Sequence, residues 1–253
     1  AATGNPKTFL GVQLSRDGKL LFVSVRHGWN STEWSYRDLS KKGADKAPFS
    51  TLIAGKPFRY ELEAVAGKVY IYTNEEAPKY RVFVAEPKNL ARKAWKEIIA
   101  ETTDTLTGFD YVGGSLVLTY LHDATSLLAI HDATGKRVRT QELPGLGALM
   151  GVSGTEESDE LFYGFQSFVQ PREVYRTSVK SAETKLWGGA NLKIDANQYT
   201  TEQVWYPSKD GTKISMFVVT RKGAAGAART GKTPFWLTGY GGFDISITPH
   251  FSA

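Results

Sequence analysis

Any chemistry in this chain of 253 residues has to come from a small set of side chains. The run Gly226 to Thr233 spells GAARTGKT, a formal match to the phosphate-binding pattern GxxxxGK[ST]. That loop works because a helix begins at its lysine and aims backbone N–H groups at phosphate. Here Pro234 follows at once, and FWLTGYGGF, with three glycines and bulky aromatics, reads as strand and turn, so nucleotide binding is not expected. Two dipeptides, His122-Asp123 and His131-Asp132, have the residue types of a metal site or an acid–base pair. Both end apolar runs beside an Ala-Thr pair, where Asp commonly caps a turn, and a structural or surface role is expected for each. His27 and His250 have no clear partner in the sequence, and Glu156, Glu157, Asp159 and Glu160 read as a solvated hairpin loop.

Nucleophilic chemistry is harder to place. The chain has no cysteine, hence no thiolate nucleophile, thiolate metal site or disulfide. An α/β-hydrolase puts its serine on a strained Gly-x-Ser-x-Gly elbow, and no window matches. Ser115 in GGSLV and Ser153 in GVSGT come nearest, but each lies in a strand-like run. Tyr240-Gly241-Gly242 is different, since an aromatic–Gly–Gly step after a buried strand is where such enzymes build an oxyanion hole. A tight turn after a strand would produce the same spacing.

The elements that must position these residues are almost all strands. Helical periodicity is nearly absent, and short runs rich in Val, Ile, Tyr, Phe and Thr recur between Gly, Asp, Asn and Pro clusters. Four runs, Lys19–Arg26, Lys68–Thr73, Ser115–Leu121 and Glu160–Phe165, start 45–49 residues apart. A second series, Glu33–Leu39, Tyr80–Glu86, Ser126–Asp132 and Glu173–Val179, keeps the same period. Each unit closes on a more polar run, around Thr51–Ala54, Trp95–Ile99, Arg137–Leu143 and Lys185–Trp187. Leu90, Ala94, Trp95, Ile98 and Ile99 carry helix-like spacing, yet the repeat phase calls for an outer strand there.

Four four-stranded units of this length predict an all-β fold, a partial β-propeller over residues 1–192. Four blades alone would leave the faces of the first and last uncovered, so a larger ring is expected. From 193 to 253 the repeat stops. A hairpin, Thr200–Ser208 and Thr212–Arg221 around Ser208–Gly211, is followed by the small-residue linker Gly223–Lys232. An expected buried strand then runs from Thr233 to Tyr240. One hairpin and one strand cannot bury a sheet, so this second domain reads as incomplete. The formal charge of +5 comes from 31 Lys and Arg interleaved with 26 Asp and Glu, without the clustered face that nucleic-acid binding needs. No apolar run is long enough to span a bilayer as a helix.

The runs VWYPSKDGTKISMFVV (Val204–Val219) and GYGGFDISITP (Gly239–Pro249) resemble the opening of the peptidase domain of the prolyl oligopeptidase family. Upstream, GVQLSRDGKLLFVSVR, YLHDATSLLAIHDATG and FQSFVQPREVY resemble successive propeller segments of that family, in the same order. The resemblance implies about four blades of a probable seven, followed by the first strands of an α/β-hydrolase domain. It implies a serine endopeptidase cutting short peptides on the carboxyl side of proline, cytoplasmic or alternatively periplasmic, with the propeller gating access. Tyr240 would donate its hydroxyl to the oxyanion, and Phe243 would line the pocket for the substrate proline. Phe9, Trp29 and Arg26 fall where the family places propeller residues that reach the substrate. Position 244 carries Asp where the family usually has Asn. No cofactor or metal is implied. The partners would be short proline-containing peptides and the remainder of the same polypeptide, which would supply the first blades and the nucleophile, Asp and His beyond Ala253. The chain alone is therefore expected to be inactive. The competing reading is a non-catalytic propeller that binds peptides or proteins.

Overall fold

A computed structural model of the protein describes residues 6–44, 46–190, 192, 195–223, 233–242 and 245–252. Sixteen of its strands form four antiparallel sheets, each ordered as the chain runs. Blade I is β1 (Thr8–Leu14), β2 (Leu20–His27), β3 (Ser31–Asp38) and β4 (Ser50–Ile53). Blade II is β5 (Tyr60–Val65), β6 (Lys68–Thr73), β7 (Arg81–Ala85) and β8 (Lys96–Ile99). Blade III is β9 (Thr105–Val112), β10 (Ser115–His122), β11 (Thr125–Asp132) and β12 (Arg137–Gln141). Blade IV is β13 (Ala148–Gly154), β14 (Glu160–Gln166), β15 (Glu173–Ser178) and β16 (Lys185–Gly189). The expected four blades are thus present, and both strand series fall on the second and third strands of each.

The second strands of blades II and III, β6 and β10, read as nearly unbroken apolar runs because both of their faces are covered. Successive side chains of a strand point to opposite faces. On β6, Val69 and Ile71 join a cluster with Phe22 and Trp34 of blade I, whereas Tyr70 joins Leu116 and Leu118 of blade III. A third cluster joins Val117, Leu128 and Ile130 of blade III to Leu161, Tyr163 and Phe165 of blade IV. Each fully buried side chain of this kind contributes about 1.5–3 kcal/mol. These three boundaries therefore hold the blades together. The Trp34 indole N–H also donates to the Tyr60 carbonyl at 2.8 Å, tying blade I to the first strand of blade II. At the ends of the series the covering stops. Leu10, Leu14 and Val12 (73% exposed) line β1, and Leu186 and Trp187 are exposed on β16.

Polar residues fix the turns. The Ser15 hydroxyl accepts from the Leu20 amide at 2.8 Å, and an Asp132 carboxylate oxygen accepts from the Thr134 and Lys136 amides at 2.9 and 3.1 Å. His131 is buried, and its Nδ1 lies 2.9 Å from the Gly135 carbonyl. His122 is exposed and sits 2.7 Å from Asp104, whose hydrogen bond raises its pKa.

Where helix-like spacing and repeat phase pointed different ways, the chain follows the phase: a 3₁₀ turn at Arg92–Ala94 leads into β8, the outer strand that the phase calls for. Leu90 and Trp95 are both buried in the cluster between blades I and II, and the Trp95 indole N–H donates to the Leu90 carbonyl at 2.9 Å. One turn of tight helix is what brings both beneath the sheet before the outer strand begins. One expectation needs correction: Thr233–Tyr240, expected as a buried strand. It has no assigned strand structure, and Trp236 is 92% exposed. A strand needs a ladder partner, and among the described residues β17 (Tyr199–Pro207) and β18 (Lys213–Arg221) pair only with each other. Residues 224–232, which hold most of the GAARTGKT match, lie outside the described residues.

Two positions are sensitive to change. Gly135 has φ +93°, and a Cβ built there would stand 1.9 Å from the Ile98 carbonyl oxygen of the neighbouring blade. Gly135→Ala should therefore destabilise the fold by about 2–4 kcal/mol, read as a lower denaturant midpoint at unchanged slope. Asp110 on β9 is the other. Burial, with a smaller contribution from Glu63, pushes its carboxyl up to about 6 against the partial relief given by Arg16. The folded state thus holds a proton that the unfolded state has released between about pH 4 and pH 6. The stability this gives is complete below pH 4 and is lost as pH rises through about 6. Asp110→Asn should consequently stabilise the protein at pH 7.5 by about 1–2 kcal/mol after allowance for partial exposure, with the gain vanishing near pH 4 in parallel urea titrations.

Candidate functional site

β1, β5, β9 and β13 open their blades, and in a propeller the opening strands surround the central channel. The antiparallel ladders then place chemistry at two levels along that channel. At one level Phe9 on β1 lies directly opposite Arg26 on β2, and Trp29 occupies the turn into β3. Phe9 is 65% and Trp29 72% exposed, so both rings are available to a ligand. Arg26 reaches across the blade boundary to Glu61 on β5, with its guanidinium 3.2 Å from a carboxylate oxygen. Three of the residues singled out from the sequence are therefore neighbours, and Glu61, which was not singled out, orients one of them.

This end of the propeller also receives the C-terminal hairpin. The connections from second to third strand all emerge here, Trp29 lying in that of blade I. The Gln203 side-chain amide of β17 donates to the Asp123 carbonyl in the corresponding turn of blade III, at 2.6 Å. The ring of Phe217 on β18 lies 5.3 Å from that of Phe168 in the connection of blade IV. Tyr240 follows in the extended stretch, half exposed, with its hydroxyl facing Gly242: a Cβ on that glycine would be 3.1 Å from Oη. Among the described residues no hydrogen bond, ion pair or ring contact joins Tyr240 to Phe9, Arg26 or Trp29. Phe243, like Asp244, lies outside the described residues.

The second level lies toward the opposite end, where first strands turn into second strands. Gln13 of β1 donates to Glu63 of β5 at 3.3 Å, and Arg16 stands 4.0 Å from the same carboxylate. Glu156, read from sequence as part of a solvated loop, instead accepts from the Ala66 amide at 2.8 Å, spanning from blade IV to blade II. The Gly113 amide donates to the Thr155 carbonyl at 2.9 Å. These contacts draw the turns of different blades together at this mouth. The signal for Glu61 and Glu63 was present in the alternation of Tyr60, Leu62 and Ala64 with two carboxylates. Their partners were not legible, because they come from other blades.

Among the described residues no group of three or more His, Asp or Glu side chains could hold a metal ion. The arrangement offers aromatic surfaces and a charge-paired arginine at one end of the channel, and carboxylates with an arginine at the other. Such surfaces can bind and orient a peptide.

Comparison with known proteins agrees with this architecture. The family model described as prolyl oligopeptidase, N-terminal beta-propeller domain, matches residues 1–189. A prolyl endopeptidase of Elizabethkingia miricola is 33% identical over 248 residues, covering 98% of this chain and 34% of the relative. The prolyl endopeptidase of Dictyostelium discoideum is 28% identical over 265 residues, again 98% of this chain and 34% of the relative. The chain thus spans about a third of the length of these curated relatives. A solved structure from a study of two prolyl endopeptidases superposes with TM-score 0.80 at 43% identity, covering 87% of this chain and 32% of the other. Prolyl oligopeptidase B from Galerina marginata, bound to a 35mer hydrolysis and macrocyclization substrate, shares the fold with TM-score 0.82 at 22% identity, over 99% of this chain and 36% of its own. On the four blades, their order and the matched span, the chain belongs to the prolyl oligopeptidase family, and its blades belong to that family's N-terminal β-propeller domain.

Proposed function

We propose that this chain is the propeller portion and the beginning of the peptidase portion of a serine endopeptidase that cuts short peptides on the carboxyl side of proline. The observation that carries this reading is the grouping of Phe9, Arg26 and Trp29 at the end of the channel onto which the β17–β18 hairpin docks. A peptide lying there would meet two aromatic faces and a guanidinium, a five-donor group suited to carbonyl and carboxylate oxygens. The propeller would admit peptides narrow enough to reach that end and exclude folded proteins.

In this reading Tyr240 stabilises the oxyanion formed when the catalytic serine attacks the carbonyl, because a phenol placed where negative charge develops stabilises the transition state more than the bound substrate. Phe243 packs flat on the pyrrolidine ring of the substrate proline. The serine, its aspartate and its histidine come from the remainder of the polypeptide, so the chain by itself is inactive. We assign the protein to the cytoplasm, with the periplasm as the alternative.

The test uses the polypeptide that includes the catalytic serine, with a blocked proline-containing peptide bearing a chromogenic leaving group. Tyr240→Phe should lower kcat by about 10–100-fold while KM changes by less than about threefold, because the lost hydrogen bond belongs to the transition state. An increase in KM with unaltered kcat would contradict the role of Tyr240. Absence of cleavage after proline in the unsubstituted protein would contradict the reading as a whole.

A further inference from the structure

The turn that joins the first two strands of blade IV is longer than its neighbours and is put to use. In blades II and III the same connection takes only two residues, Ala66 with Gly67 and Gly113 with Gly114. In blade IV residues 155–159 stand between β13 and β14. This longer turn is held at three places. At its start the Thr155 carbonyl accepts from the Gly113 amide of blade III at 2.9 Å. In its middle a Glu156 carboxylate oxygen accepts from the Ala66 amide of blade II at 2.8 Å. At its end Asp159 is tied to its own blade, its carboxylate accepting from the Ser178 hydroxyl at 2.7 Å and its carbonyl from the Val179 amide at 2.9 Å.

Between these fixed points the turn lies directly on blade III. A Cβ on Gly113, which has φ +53°, would stand 2.8 Å from the Asp159 Cα and 2.9 Å from the Ser158 carbonyl oxygen, so the approach is open only to glycine. The turns of blades II, III and IV stand on an arc around the channel. A contact from blade IV to blade II that skips blade III is a chord of that arc, and a chord runs nearer the axis than the arc does. The Glu156 side chain therefore extends over this mouth. Its hydrogen bond has a charged acceptor, which makes it one of the stronger kind, but it is a single bond at the surface. It can be released while the three apolar boundaries between blades stay intact.

We infer that residues 155–159 form a strap that sets the size limit at the channel mouth opposite the hairpin, with Glu156 as the residue that fastens it. While Glu156 holds the Ala66 amide, small molecules pass this mouth and a polypeptide chain does not thread through it. Releasing the strap from blade II, or lifting it from the Gly113 turn, widens the mouth to longer chains. Glu156 is thus a specificity-determining residue that touches neither the cleaved bond nor Phe9, Arg26 and Trp29. The inference deepens the reading of the propeller as a filter and rests on it for the peptide as the excluded species. Passage through the mouth, however, involves no bond cleavage.

Two readouts test it. Amide exchange followed by NMR on the 253-residue chain reads the fastening. The Ala66 amide should exchange at least about tenfold faster in Glu156→Ala than in the unsubstituted chain, and Glu156→Gln, which keeps a side-chain acceptor, should restore most of the protection. Passage is read in the polypeptide that includes the remaining blades, by maleimide labelling of Thr107→Cys, an exposed position on the opening strand β9. Mass spectrometry of the fragment carrying residue 107 isolates that thiol. Glu156→Ala and Gly113→Ala release the strap at blade II and at blade III respectively. Each should speed labelling by a maleimide on a long polyethylene glycol chain by at least about fivefold, with the N-ethylmaleimide rate changed by less than about twofold. Glu156→Gln should label as the unsubstituted protein does. If Gly113→Ala unfolds the blade, Glu156→Ala, a surface substitution, decides the matter alone. Equal exchange of the Ala66 amide with and without Glu156, or an unchanged rate with the long reagent in Glu156→Ala, would overturn the inference. Neither result depends on whether the longer polypeptide cleaves after proline.

Discussion

A blade of this propeller is apolar on both faces and takes most of its stability from the neighbours that cover them. This single constraint accounts for most of the molecule. It explains why β6 and β10 are almost wholly apolar, since Val69 and Ile71 look toward blade I and Tyr70 toward blade III. It explains the aromatic side chains that bridge boundaries, such as Trp34 donating to the Tyr60 carbonyl and Tyr70 packed 5.6 Å from Tyr111. It also explains the exposure of Val12 and Trp187, which stand on the two faces that no further blade covers among the described residues. Repeat architectures of this type gain their stability from intrinsic and nearest-neighbour terms, so the boundaries are the units on which the fold depends.

Function follows from the same geometry. Packing blades face to face turns one edge of every sheet toward a common channel, and residues from different blades become neighbours there without being close in sequence. Arg26 and Glu61 meet in this way, as do Gln13 and Glu63, and Glu156 with the Ala66 amide. Exposed ion pairs like Arg26–Glu61 contribute little to stability, about 0–1 kcal/mol. Their value lies in fixing where a guanidinium points. The C-terminal hairpin docks at the end where Phe9, Arg26 and Trp29 gather, and so joins the two parts of the chain at the surface proposed for substrate.

The blades were legible in the sequence because burial on two faces leaves a strong local mark: apolar runs of fixed spacing, separated by turns with Gly and Asp. Boundaries came within a residue or two for the second strands, where that mark is strongest. Local pattern failed where the structure depends on something non-local. The run Thr233–Tyr240 has the composition of a buried strand, but composition supplies no ladder partner, and Trp236 and Leu237 stand exposed. Between Leu90 and Ile99 the repeat phase was the better guide than the helix-like spacing, because two buried anchors at short separation, Leu90 and Trp95, suit a 3₁₀ turn leading into a strand as well as a helix. Arg26, Trp29 and Phe9 were named through family resemblance; the ladder register sets Phe9 opposite Arg26, and Trp29 lies in the turn that follows β2. The bulges on β9 and β13 were missed altogether, because a bulge disturbs the alternation by only one residue.

The most direct test of the claim that boundaries between blades hold the fold is native-state hydrogen exchange resolved strand by strand. If each blade depends on both neighbours, the amides of β6 and β10 will be the slowest to exchange. Those of β1 and β16, each in a blade with one uncovered face, will exchange at least about a hundredfold faster through local opening. Equal protection of β1, β6, β10 and β16 would show that each blade is stable independently of its neighbours, and would contradict the account.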